Sequence, residues 1–211
     1  IFLSLKAVGV KHGDHVLVNA FTFDAVPSAI THIGAHPVLV ECTANMTMDL
    51  VHLEARLKEG RSKVLLLSHM RGRLADLDKV TALCAEHDVI MIEDCAHALG
   101  CEWKGRPAGS FGRASCFSFQ SHKILNTGEG GMCCTSDPEL MAKVILYSGA
   151  YEFKYHKHHT GIDESIFKKL LTTTPNLSMR MTTLHGAILA PQVALIDARR
   201  ECYQRNFDVF V

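Results

Sequence analysis

Long apolar runs, blocks of one charge and phosphate-binding glycine motifs are all missing from this 211-residue chain, and each absence removes a class of function. No stretch approaches the roughly 20 apolar residues of a membrane-spanning helix, and the opening IFLSLKAVGV is too short and too polar at Lys6 for a secretory leader. The 22 basic and 22 acidic side chains cancel, and no Lys/Arg block is present to attract nucleic acid or an anionic membrane. Neither GxGxxG nor GxxxxGK(S/T) occurs, and KEGRSK at 58–63 fits neither, so a nucleotide-binding loop has no support. Paired cysteine spacing is absent too. Cys42, Cys84, Cys95, Cys101, Cys116, Cys133, Cys134 and Cys202 are scattered through apolar segments, which favours a reducing, cytoplasmic setting over a disulfide framework. The histidines at 156, 158 and 159 lack the spacing of a zinc site and are read as a solvated loop, with no metal expected.

What is there is an alternation. Short β-rich runs at 15–19, 37–41, 63–68, 89–93, 114–119 and 131–135 are separated by amphipathic stretches at about 23–33, 49–58, 76–87 and 138–148. That order predicts an α/β domain with a largely parallel sheet flanked by helices. SDPEL at 136–140 is a helix start, with a capping side chain, a proline in the first turn and an early glutamate facing the helix dipole. Residues 149–175 break the pattern and are read as a long surface excursion. Helical spacing returns over 182–204, interrupted at Pro191, as an exposed connector. The chain starts on Ile1 and stops on Val211 inside a helical pattern, and it reads as a piece of a longer protein.

Two segments carry chemistry. VIMIEDCAHALG (89–100) is a strand-like run that ends on Asp94, and FSFQSHKILNTGEGG (117–131) places Lys123 between a strand and a glycine-rich turn. In parallel α/β sheets ligands gather at the carboxyl ends of strands. A lysine and an aspartate brought there by neighbouring strands suit pyridoxal phosphate: the lysine forms a Schiff base and later moves a proton, and the aspartate holds the pyridine nitrogen protonated. Ser118 offers a hydroxyl to the cofactor phosphate, Phe23 a ring to stack on the pyridine, and His97 a nitrogen to its phenolic oxygen. Each also has a plainer reading: Asp94 as a helix cap, Lys123 as a solvated surface side chain, Ser118 as a strand residue, Phe23 and His97 as core.

Together, VGVKHGDHVLVNAFTFDA, IGAHPVLVE, HMRGRLADLDKVTALCAEHDVIMIEDCAHALG, KGRPAGSFG, CFSFQSHKILNTGEGG and SMRMTTLHGAIL resemble the DegT/DnrJ/EryC1/StrS family of aminotransferases. The resemblance implies the large domain of a fold-type I pyridoxal phosphate-dependent transferase over 1–181. It further implies a connecting helix over 182–211 toward a small C-terminal domain that the chain lacks, as it lacks a Gly-Thr-x-Ala-Leu segment before Ile1. It implies a homodimer that moves an amino group from an amino acid donor, usually glutamate, to a keto sugar linked to a nucleotide, in polysaccharide or secondary-metabolite biosynthesis. Lys123 is similar to the family's Schiff-base lysine, Asp94 to the pyridine-nitrogen carboxylate, Ser118 to the phosphate-binding serine, Phe23 to the stacking aromatic, and His97 to the residue near the phenolic oxygen. Arg180 and Met181 match the pair that approaches the partner's site. Ser178 and Met179 stand where the family often has Asn-Tyr. Relatives that remove a sugar hydroxyl instead replace the lysine by histidine; here Lys123 is in place and His122 is its neighbour. A non-catalytic fragment or regulatory relative is the further alternative.

Overall fold

The apolar runs of the sequence become strands because their side chains alternate between two buried faces. In Ser62–Ser68, Val64 and Leu66 pack to one side with Val16, Val18 and Ile92, while Leu65 and Leu67 pack to the other with Leu17 and Met91. Burial on both faces is the signature of a parallel sheet covered by helices. The computed structural model describes residues 1–150, 154–157 and 161–210.

The elements run in the order α1 (Phe2–Ala7), β1 (His15–Asn19), α2 (Ala25–His32), β2 (His36–Val40), α3 (Leu50–Lys58), β3 (Ser62–Ser68), α4 (Leu77–Glu86) and β4 (Ile90–Asp94). A small hairpin follows, β5 (Glu102–Trp103) and β6 (Arg106–Pro107), then β7 (Ala114–Ser118), β8 (Gly131–Cys134) and α5 (Pro138–Ser148). The last elements are α6 (Glu164–Leu170), α7 (Thr183–Leu189), a 3-10 stretch over Ala190–Leu195, and α8 (Ile196–Phe210). The main sheet has six strands in the order β2-β1-β3-β4-β7-β8. All its neighbours are parallel except β7 and β8, which are joined through the lysine-bearing turn and run antiparallel. α3 and α4 cover one face and α1 and α2 the other. Because the chain leaves β1 for one edge and returns at β3 on the other side, the order reverses between β1 and β3, and a crevice opens at their carboxyl ends.

The predicted α/β domain with a mostly parallel sheet is the observed one. The helix start at SDPEL forms as read: the Asp137 carboxylate accepts from the amides of Glu139 and Leu140, with Pro138 leading the helix. One element is new and one local expectation changes. The opening residues form α1, whose Leu5 is fully buried against the sheet. Residues 149–175 are not a mere surface excursion. Within them Ile166, Phe167 and Leu170 make a helical stripe behind the Asp163 cap, Ile162 packs with them from just ahead of it, and Phe167 stacks on the buried Tyr155 with ring centroids 4.3 Å apart. This cluster packs on Ala142 and Leu146 of α5. His156 of the histidine cluster is exposed and lies 3.6 Å from Glu164; residues 158 and 159 fall outside the described residues. Pro191 sits in the 3-10 stretch, so the helical run over 182–204 is divided between α7 and α8. Among the described residues no helix is long and apolar enough to cross a membrane, and all eight cysteines are free thiols.

Phe167→Ala removes the larger part of the α5–α6 contact and leaves a cavity beside Tyr155. A loss of about 3–5 kcal/mol in chemical denaturation is expected. A change below about 1 kcal/mol would show that α6 is only laid on the surface.

Candidate active site

The crevice at the strand ends collects polar side chains whose hydrogen bonds are nearly all internal. Asp94, the last residue of β4, is 5% exposed. Its Oδ2 accepts from Ser68 Oγ at 2.8 Å and its Oδ1 from the Ala96 amide at 3.1 Å. Ser68 ends the neighbouring β3 and is fixed in turn: its amide donates to Asn19 Oδ1 at 2.9 Å, its carbonyl accepts from Asn19 Nδ2, and its hydroxyl accepts from Thr22 Oγ1 at 2.8 Å. The ends of β1, β3 and β4 thus form one relay that aims a carboxylate into the crevice. The same relay leaves part of each Asp94 oxygen's accepting capacity for a ligand.

Lys123 approaches from β7. Ser118 closes that strand, and the chain then turns through Lys123 and back into β8, the flanks of the turn held by Phe119 N to Gly130 O, Thr127 N to Phe119 O and Ser121 N to Gly128 O. Lys123, His97, Ser118 and Arg71 line one cleft of about 780 Å³. Asp94 lines an adjoining cavity of about 570 Å³ with Ala25, Gly131 and Arg180, and Ala96 and Ser118 form part of the wall of both. Burial pulls the Lys123 amine below the ordinary lysine range; the Asp94 carboxylate opposes this and the Arg71 guanidinium adds to it. More of the amine is therefore neutral, and nucleophilic, at a given pH than on a solvated lysine.

His97 is held below the usual histidine range by burial first, then by the positive Lys123 and Arg71, against the pull of Asp94. Its Nδ1 accepts from the Arg71 amide at 3.3 Å, so the neutral ring carries its proton on Nε2. It is a hydrogen-bond donor without charge. Phe23 stands apart from this group. Its ring, on the loop after β1, is 60% exposed and lines neither cavity. The Arg180-Met181 pair folds back on the glycine turns: Arg180 donates to the Gly149 carbonyl at 2.7 Å, and a Cβ at Gly130 would lie 2.7 Å from Met181 Sδ.

Residues 1–210 match the sequence profile of the DegT/DnrJ/EryC1/StrS aminotransferase family. The chain belongs to this family. It is 40% identical over 198 residues to the spore coat polysaccharide biosynthesis protein SpsC of Bacillus subtilis, covering 93% of this chain and 50% of that protein. It is 32% identical over 206 residues to the GDP-perosamine synthase of Caulobacter vibrioides, covering 97% and 52%. The aminotransferase of Psychrobacter cryohalolentis superposes with a TM-score of 0.79 at 31% identity, over 92% of this chain and 49% of that one. The chain spans about half the length of the curated relatives it matches. The family and its matched structures, among them a sugar aminotransferase of Streptococcus pneumoniae in a pyridoxal phosphate form, depend on that cofactor.

Within the family fold, several residues of the site escaped sequence reasoning. Ser68 could have been found, since it ends an apolar run as Asp94 does. Arg71 could not: its left-handed backbone (φ 57°) is set by the tight turn after β3. Glu93 is the largest omission. Strand alternation points it away from Asp94, fully buried, where it accepts from His69 Nε2 at 3.0 Å and from the amides of Gly109, Phe111 and Gly112 at 2.8, 2.7 and 2.6 Å. Gly109 has φ 90°, and a Cβ there would come 2.8 Å from the Phe117 ring. His69, Glu93 and Cys95 bring ligating atoms within 4.8 Å of one another. Both Glu93 oxygens are already committed to donors, and burial raises the Cys95 thiol, so the group serves as a hydrogen-bonded anchor.

Burial pushes the Glu93 carboxyl up, but the His69 bond and the Gly112 and Gly109 amides outweigh it and hold it below the ordinary glutamate range. A depressed folded-state pKa contributes stability that is complete above the unfolded value, near 4.3, and is lost as pH falls through the folded value. Glu93→Gln should therefore lose about 1–3 kcal/mol at neutral pH and show a flatter acid limb in pH-dependent denaturation. Parallel limbs in the two proteins would show that Glu93 carries no such linkage.

Proposed function

We propose that the full-length protein is a pyridoxal phosphate-dependent aminotransferase that moves an amino group from an amino acid donor, glutamate, to a keto sugar linked to a nucleotide, in polysaccharide or secondary-metabolite biosynthesis. The observation that carries this reading is Lys123: an amine made less basic by burial, in one cleft with His97 and Ser118 and within electrostatic reach of Asp94. Names of relatives such as GDP-perosamine synthase and UDP-N-acetyl-3-dehydro-alpha-D-glucosamine 3-aminotransferase support the sugar substrate.

The residues present fit the cofactor. Asp94 offers a buried carboxylate for the pyridine nitrogen, His97 a neutral N–H for the phenolic oxygen, and Ser118 a hydroxyl for the phosphate, whereas the Phe23 ring lines neither cavity and does not take part in this fit. Bound pyridoxal phosphate supplies an electron sink for the carbon that exchanges its amino group. Lys123 then has two tasks: its neutral amine holds the cofactor, and once freed its Nζ takes the proton from the substrate carbon and returns it on the other side of the transfer. Ser68 and Thr22 keep Asp94 oriented while the proton moves. Residues 1–181 form the cofactor-binding part, 182–211 lead toward a further domain, and the active assembly is a homodimer whose Arg180-Met181 loops face the partner's site.

Borohydride reduction of the full-length protein loaded with pyridoxal phosphate, followed by peptide mass spectrometry, should give a single adduct on Lys123. Lys123→Ala should lose the adduct and, through the missing proton transfer, on the order of 10²–10⁴-fold in turnover. Asp94→Asn should keep some cofactor and lose most activity. An adduct on another lysine, or full activity in either variant, would sink the mechanism.

A further inference from the structure

The turn that bears Lys123 is held at its tip by residues far away in sequence. Backbone pairing fixes its flanks, Phe119 to Ser121 against Thr127 to Gly130, and Leu125 is buried. Between them the main chain of 124–126 is met by two side chains, one from the 3-10 stretch that leads into α8 and one from α8 itself. Gln192 Nε2 donates to the Asn126 carbonyl at 2.6 Å and its Oε1 accepts from the Asn126 amide at 3.3 Å. Arg199 Nη1 donates to the Ile124 carbonyl at 2.6 Å and to Gln192 Oε1 at 3.0 Å. The two side chains are half-buried, bonded to each other, and line neither cavity. One residue along, Arg200 faces the cleft with Tyr203 and Phe207. The same helix therefore forms a wall of the cleft and grips the strand of chain next to the lysine.

We propose that Gln192 and Arg199 are positioning residues of the transamination site: they latch α8 to the main chain of 124–126 and so set where the Lys123 amine stands between Asp94, His97 and Arg71. The inference rests on the function proposed above for its consequence, but its geometry stands on these hydrogen bonds alone. Three backbone groups of the turn depend on the latch, and unmet groups of this kind draw in water or shift until they find partners. Because α7, the 3-10 stretch and α8 bury no residue completely, the latch is also one of the few ties that hold α8 to the sheet domain. Any displacement of α8 is passed to Lys123 through Ile124. The groups facing the amine are Asp94 from β4, Arg71 from the turn after β3 and His97 from the loop after β4.

The test is the titration of Lys123 in the full-length protein without cofactor, read by limited reductive methylation across pH and peptide mass spectrometry, with Lys11 as internal reference. Gln192→Ala and Arg199→Ala should each raise the Lys123 midpoint toward that of a solvated lysine, as the amine swings into water, and slow capture of pyridoxal phosphate at neutral pH by roughly tenfold. Arg199→Lys keeps a donor for the Ile124 carbonyl and should restore most of the shift. Gln192→Glu sets a carboxylate oxygen against the Asn126 carbonyl and should behave as the alanine variant does. This second pair decides the matter if the alanine variants do not fold. An unmoved Lys123 midpoint in folded variants, or Gln192→Glu behaving as wild type, would overturn the proposal. Since the titration needs no cofactor, a wild-type Lys123 that never captures pyridoxal phosphate would count against the proposed function and not against the latch.

Discussion

Two adjacent carboxylates end β4, and a buried carboxylate is tolerated only where donors surround it. Strand alternation sends Glu93 and Asp94 to opposite sides, so each needs its own set. Glu93 takes the loop of Gly109 to Gly112 and the ring of His69; Asp94 takes Ser68 and the amide of Ala96. Meeting both demands draws the ends of β1, β3 and β4 and the approach to β7 into one arrangement. The crevice is shaped by this requirement before any ligand enters.

The electrostatics of the site follow from the same crowding. Asp94 favours a charged Lys123, yet burial and Arg71 outweigh it, and the amine is less basic than a solvated lysine. His97 feels the same two cations and burial, and stays neutral with its proton on Nε2. A carboxylate, a neutral donor and an amine of lowered basicity therefore meet at this crevice. Arg71 contributes to both shifts from a left-handed backbone position in the turn after β3.

The antiparallel final strand gives the lysine its place. A helical crossover between β7 and β8 would have carried the chain away from the crevice; the turn instead returns at once, with Lys123 near its tip and Gly131 opposite Ser118. A tip of this kind has few backbone bonds of its own, and Gln192 of the 3-10 stretch and Arg199 of α8 supply them. Packing around Tyr155 and Phe167 extends the domain beyond α5 without touching the site.

Much of this was legible in the sequence. Short β-rich apolar runs alternating with amphipathic, capped helical stretches determined the α/β order, because run length, helical spacing and capping are local. The ends of VIMIED and ASCFS marked Asp94 and Ser118, because a strand end is also where the crevice opens. Lys123 and the glycine turn could be read together for the same reason, as neighbours in the chain. The Tyr155–Phe167 stack, the Glu93 anchor, the left-handed Arg71 and the grip of Gln192 and Arg199 could not, since each depends on a partner from a distant segment or on a turn's backbone. The sequence by itself determined which residues could carry the chemistry and on which elements they ride. Only the tertiary structure decided their protonation and their distances, because burial, opposing charge and hydrogen-bond partners arise when strands remote in sequence end at the same place.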